Sequence, residues 1–227
     1  LAETKVLAGR TVAIYTLDVT DRTGVAALPA HIEAELGAAD VLINNAGKGS
    51  SGEFFRNDLE AELEILRLNN ASLVALSHLF LPAMIRNKKG FIINVASIIA
   101  FFPSPYMAVY AGSKHFVKAF TYSLAEECKP YGVNVLLFSP GLTTSNFMNT
   151  KENNNNWGKV LVQGSNTQTP EQVAQEMVRA YKRNKKSHVS GGRNRLFTIL
   201  GTHLSPGFIA RSFAKQKRKQ IGWKQYM

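Results

Sequence analysis

Apolar residues follow two rhythms along this chain: short runs of near-continuous hydrophobicity, and longer stretches with apolar positions three and four apart. TVAIYTLDV, residues 11–19, mixes β-branched and aromatic residues and reads as a buried strand running out at Asp18. DRTGVAALPAHIEAELG then carries Asp21 as a cap and Gly37 as a stop, which predicts a helix. ADVLINNAG, residues 39–47, is an apolar strand that ends in a small-residue turn, and residues 57–87 form one long helical segment. GFIINVAS, residues 90–97, predicts a strand covered on both faces. A helix from about Met107 to Cys128 and the strand GVNVLLFS, residues 132–139, close the main series at Pro140 and Gly141. Thr169, Pro170 and Gln172 open a helix that runs to about Asn184, and SHVSG after it is a short strand. At the front, LAETKVLAGR reads as the end of a helix.

Strand and helix in this alternation predict an α/β fold, a doubly wound parallel sheet wrapped by helices. Such sheets bind ligands beyond the C-terminal ends of their strands. That rule gathers Asp18, the turn from Asn44 to Gly47, Ser97 and the stretch from Pro140 to Ser145 along one rim. Residues 146–168 are polar and asparagine-rich and read as a mobile loop or lid, or equally as plain disorder.

Composition narrows the classes. At 227 residues and 45% hydrophobic the chain can bury a core as one domain. The one cysteine, Cys128, cannot close an intrachain disulfide, and no leader-like segment opens the chain, so a cytoplasmic protein is the expectation. No uninterrupted apolar run nears the roughly 20 residues that span a bilayer. The net charge of +11 is lopsided: 13 Lys and Arg and no acid lie from Arg179 onward, leaving 14 − 16 = −2 for the rest. The histidines and Cys128 show no metal-ligand spacing, so no metal is expected, and no nucleic-acid module accompanies the basic tail.

AVYAGSKHF, residues 108–116, sets Tyr110 and Lys114 one helical turn apart, where a cation can favour a phenolate and lower its pKa. Ser97 precedes Tyr110 by 13 positions, Asn69 lies in the preceding helix, and NNAG and SPG end two strands. With Asp18 and Val19 after the first strand, this ordered set resembles the short-chain dehydrogenase/reductase family over residues 1–190. SGGRNRLFTILGTHLSPGFIARSF, beyond residue 189, is further similar to a bacterial subgroup related to ketosteroid and 3-ketoacyl reductases.

The resemblance implies an oxidoreductase that moves a hydride between NADP or NAD, NADP ahead of NAD, and a carbonyl or alcohol substrate. It makes Tyr110 the general acid/base, Lys114 its electrostatic partner and a ribose ligand, Ser97 the group polarising the substrate oxygen, and Asn69 the anchor of a relay water. Asp18 and Val19 would meet the adenine end, and Asn45, Ala46 and Gly47 would line the cofactor cleft. Pro140, Gly141, Thr143 and Ser145 would meet the nicotinamide, Ser145 standing where the family often has threonine. A homo-oligomer, dimer or tetramer, is implied as well.

One departure is large. The family's Gly-rich turn is missing, and with residues 11–17 as its third strand and 40–44 as its fourth, the sheet would have a gap between them. An upstream β-α-β segment is therefore expected for the native protein, so that residues 1–190 form an N-terminally incomplete catalytic domain. Residues 191–227 are then a basic extension, packed on that domain or trailing from it, either solvated or weakly associated with a membrane surface. The alternative is a catalytically silent dinucleotide-fold protein used for binding or assembly. Around the site, Phe101, Phe102, Pro103, Tyr106 and Met107 suggest apolar walls for a lipophilic carbonyl compound.

Overall fold

The computed structural model describes residues 2–7, 10–145, 147 and 167–222. Strands β1 (Ala2–Leu7) and β2 (Arg10–Tyr15) pair antiparallel as a separate two-stranded sheet. Two expectations are corrected here. Residues 2–7 are strand rather than a helix end, and β2 does not join the parallel sheet. β1 offers β2 the partner that the parallel sheet does not, with Lys5 opposite Val12 and Val6 opposite Thr11.

The parallel sheet has four strands in the order β3 (Val41–Asn44), β4 (Gly90–Val95), β5 (Val133–Ser139) and β6 (Ser187–Val189). Its register aligns Asn44 with Asn94, Val95 with Phe138, and Ser139 with Val189, so every strand ends at one rim. Among the described residues β3 has no partner on its outer edge. Ile43, on the same face as Ile93, is accordingly 50% exposed. The gap foreseen between residues 11–17 and 40–44 lies at that edge.

Helices cover the sheet unevenly. On one face, α1 (Arg22–Leu36) and α3 (Ser72–Arg86) pack with α4 (Ala108–Cys128) over Ile92, Val133 and Val135. Val25, Leu76, Phe80, Met84 and Cys128 fill that core. On the other face, α5 (Pro170–Lys182) lays Val173, Met177 and Ala180 against Phe91, Ile93, Leu136 and Phe138. Because residues alternate between faces along a strand, coverage on both sides leaves all six residues of β4 buried.

The helix expected over residues 57–87 is α2 (Leu59–Leu66) continued into α3 through a π-helical turn at Arg67–Ala71. Asp58 caps it by accepting from Ala61 N at 2.8 Å. Taken together, Leu59–Arg86 is long and apolar enough by length and composition to cross a bilayer. One side of it, Leu73, Leu76, Phe80 and Met84, is spent on the core, as in a helix that covers a sheet. After β6 come α6 (Gly192–Thr202) and α7 (Pro206–Gln220). Most of the stretch at 146–168 lies outside the described residues, as does the end of the basic tail, residues 223–227.

Candidate active site

Asn44 ends β3 as a buried amide, donating to Ser77 Oγ at 3.0 Å and to Asn94 Oδ1 at 2.8 Å. Asn94 passes the chain on to Thr121 Oγ1 of α4 at 3.0 Å. Two helices and two strands are thereby locked by polar contacts in an apolar setting, where each bond is costly to leave unmade. This fixes the height of α4 relative to the rim. The sequence did not single out Asn94 or Thr121; asparagine at the same register on neighbouring strands was the available signal.

Asn69 sits in the π-helical turn, almost fully buried. A π turn holds one extra residue, which re-aims a side chain. Asn69 Oδ1 accepts from Lys48 N at 2.9 Å, while Nδ2 donates to Lys48 O and to Ser113 Oγ, each at 2.9 Å. The side chain thus ties the turn after β3 to α4, with both amide protons engaged. Ser113, whose hydroxyl donates to Tyr110 O at 2.7 Å, is the intermediary.

Tyr110, Lys114 and Ser97 are buried and meet at the ends of β4 and α4. The Lys114 ammonium lies 5.8 Å from the Tyr110 ring centroid and donates to Val95 O at 3.0 Å. Ser97 caps the short turn Ile98–Phe101, its Oγ accepting from Ile99 N at 3.2 Å, and also hydrogen-bonds Tyr110. The expected lowering of the phenol's pKa by Lys114 is not what this arrangement gives. Burial pushes Tyr110 up to about 12, the Ser97 hydrogen bond pulling the other way, and burial alone holds Lys114 down to about 8. Desolvation outweighs the pull of a cation 5.8 Å from the ring centroid. Near neutral pH Tyr110 is therefore a protonated donor.

The remaining rim residues fall into place unevenly. Asn45 and Ala46 are exposed on the turn after β3, and Gly47 lies against the site. A Cβ at Gly47 would come within 3.1 Å of Asn69 Oδ1 and 3.5 Å of Lys114 Nζ, so glycine leaves that approach open. Pro140 and Gly141 follow β5, and Thr143 bridges to Gln168. Ser145 Oγ accepts from Phe147 N at 3.4 Å. Phe147 puts its ring 5.5 Å from that of Tyr110. Asp18 is exposed, its carboxylate accepting from Thr20 N and Thr20 Oγ1, both at 2.8 Å, which holds its pKa below the usual value. Val19 packs against the core of α1 and α3.

These residues fit the nicotinamide-ribose half of a dinucleotide. Lys114 has one acceptor, Val95, among the described residues and two further N–H donors beside Gly47. A pyrophosphate cradle is not among the described residues. The start of α1 is capped by the Asp21 carboxylate, which accepts from Thr23 N at 3.0 Å and puts a negative charge where a phosphate needs donors.

The apolar wall differs in part from expectation. Phe102 and Met107 are buried rather than lining an approach, Phe102 under Phe197 of α6 and Phe213 of α7 at 5.0 and 5.7 Å between ring centroids. An open cleft of about 380 Å³ lies one turn before Tyr110, walled by Phe54, Phe55, Pro105, Tyr106, Ala108 and Ala214. Its floor is clamped by α7. Lys217, buried, donates to Pro105 O at 2.8 Å and to Ser104 Oγ at 3.3 Å, and Arg218 Nε donates to the Tyr106 hydroxyl at 2.5 Å. Tyr106 takes a left-handed φ of 65°, uncommon for so large a residue, and its carbonyl accepts from Gly52 N at 2.9 Å. The basic tail is thus not simply solvated: it braces the loop that leads into α4.

Comparison with known proteins gives the same family. The short chain dehydrogenase family model matches residues 1–156. The chain is 30% identical over 207 residues to the dehydrogenase/reductase SDR family member 7B of Bos taurus, covering 90% of this chain and 64% of the bovine protein. It therefore spans less than two thirds of that relative's length. A serine dehydrogenase complexed with NADP+ superposes with a TM-score of 0.69 at 26% identity, over 77% of this chain and 74% of that one. A short-chain dehydrogenase from Sphingobium yanoikuyae in complex with NADPH shares the fold, with a TM-score of 0.69 at 22% identity over 82% and 71%. The bacterial subgroup read from the C-terminal stretch is not confirmed by these relatives.

Proposed function

The chain belongs to the short-chain dehydrogenase/reductase family, a family of nicotinamide-dependent oxidoreductases, and from that premise we propose that it reduces a lipophilic carbonyl compound, or oxidises the matching alcohol, with Tyr110 as general acid/base. The observation that carries this reading is the convergence of Tyr110, Ser97 and Lys114 in one buried cluster at the strand ends. NAD(P)H supplies the hydride when bound. Ser97 and Tyr110 hold the substrate oxygen between two hydroxyls, and Tyr110, protonated at neutral pH, delivers the proton that turns it into an alcohol. Lys114, with donors beyond the one given to Val95, would hold the nicotinamide ribose. Phe147 against Tyr110 and the aromatic cleft beside Ala108 support an apolar substrate.

A homo-oligomer also belongs to this reading. Leu59, Leu63 and Leu66 on α2 and Phe116 on α4, stacked on Phe120, offer an exposed apolar face that a second copy would cover. One observation favours a second function, a silent binding protein: no described turn offers the pyrophosphate a cradle. Titration of NADPH and NADH into the full-length protein, followed by nicotinamide fluorescence, separates the two. Saturable binding with turnover of a hydrophobic ketone supports the reductase, and the tighter ligand identifies the cofactor. No binding of either nucleotide leaves the silent protein.

A further inference from the structure

The aromatic trio of Phe102, Phe197 and Phe213 anchors α6 and α7 to the body, yet it leaves the other side of α6 in solvent. Leu196, Ile199 and Leu200, spaced i, i+3 and i+4, are 59, 53 and 58% exposed on the side away from buried Thr198. Leu204 and Phe208, half exposed, extend the face across the connection into α7. Five large apolar side chains within 13 positions is more than scattered surface hydrophobicity. The polar residues around them share one sign. Arg193 and Arg195 on α6, and Arg211, Lys215 and Lys219 on α7, are exposed, and no Asp or Glu follows Glu176. Lys185 and Arg195 further line a cleft of about 260 Å³ whose wall includes Ile199 of the same face.

We propose that α6 and α7 form a docking surface for an anionic lipid bilayer, with Leu196, Ile199, Leu200, Leu204 and Phe208 entering the interface and the flanking cations meeting phosphate headgroups. A basic amphipathic helix binds such a surface through buried apolar area plus attraction to negative charge. A second copy of this chain is the poorer occupant, because it would bring an identical cationic rim against this one. The surface lies beside the turn that follows Ser97, since α6 packs on Ile98–Phe101. The docking requires no turnover, so it stands or falls apart from the reductase reading.

Vesicle flotation tests it, with vesicles of phosphatidylcholine alone and of phosphatidylcholine and phosphatidylserine in equal parts. The wild type is expected to float with the anionic vesicles, to favour them over neutral ones by about tenfold or more, and to lose binding as salt rises. Leu196→Ser/Leu200→Ser should lower the anionic binding by about tenfold. Arg193→Gln/Arg195→Gln should reduce it and flatten the salt dependence. Both pairs are exposed, so thermal midpoints near the wild type are expected. The charge pair decides the question independently if the leucine pair fails to fold. Equal recovery with both vesicle types, wild-type binding by the charge pair, or loss of a wild-type dimer in the leucine pair without vesicle binding would each overturn the proposal.

Discussion

Lys114 Nζ donates to Val95 O at 3.0 Å and so ties the middle of α4 to the last residue of β4, two positions before Ser97. One bond therefore links the strand that leads to Ser97 with the helix that carries Tyr110. Lys114→Ala should weaken NADPH binding by about tenfold or more, the usual worth of a hydrogen bond from a charged donor. Fluorescence titration checks this, and wild-type affinity in the variant would remove Lys114 from the ribose site.

Tyr110 should titrate as a buried phenol. Its pKa is pushed up to about 12, so the spectrum of the wild type minus that of Tyr110→Phe should show tyrosinate forming well above pH 10 in the ligand-free protein. A component near the ordinary value of 10 would mean that the hydroxyl reaches water or that Lys114 acts on it directly.

Lys217 makes stability depend on pH in a defined direction. Burial lowers its pKa from 10.5 to about 8, so between these values the native state binds fewer protons than the unfolded state. Stability therefore rises with pH across that window, and the contribution is lost as pH falls through about 8. Tyr110 acts oppositely, its contribution present below pH 10 and lost as pH rises through about 12. Between pH 8 and 10 the wild type should gain on Lys217→Met by on the order of 1–2 kcal/mol in denaturant unfolding, Lys114 being common to both. A constant difference would show that Lys217 is solvated.

Asn69→Ala should cost both fold and activity. It removes three hydrogen bonds and leaves the Lys48 backbone short of partners in a partly buried place, about 2–3 kcal/mol by the usual worth of such groups. Urea unfolding measures this. A variant as stable as the wild type would show that the bridge from the β3 turn to α4 is dispensable.

Most elements between Asp18 and Val189 were legible, because β4, β5 and α4 have unmistakable periods and α5 starts with the capping residues its sequence advertises, whereas α6 and α7 were not placed as helices in the basic extension. Tyr110, Lys114, Ser97 and Asn69 were singled out by order and spacing together with a family resemblance, and the structure buries all four. What failed was non-local. No local pattern says that residues 2–7 will pair with 10–15 rather than coil, since both readings satisfy the backbone. The direction of the Tyr110 shift was missed because helical spacing gives proximity to Lys114 and not the depth of burial that overrides it. Phe102 looked like a wall for substrate because its cover, Phe197 and Phe213, lies about a hundred residues on.

The central claim is that Tyr110 delivers the proton in a hydride-transfer reaction. Its most direct test is single-turnover loss of nicotinamide absorbance from NADPH with a hydrophobic ketone, wild type against Tyr110→Phe, in the full-length protein. Tyr110→Phe should keep the wild-type NADPH affinity and thermal midpoint, with turnover lower by about a hundredfold to ten-thousandfold. Turnover by Tyr110→Phe at the wild-type rate would contradict it.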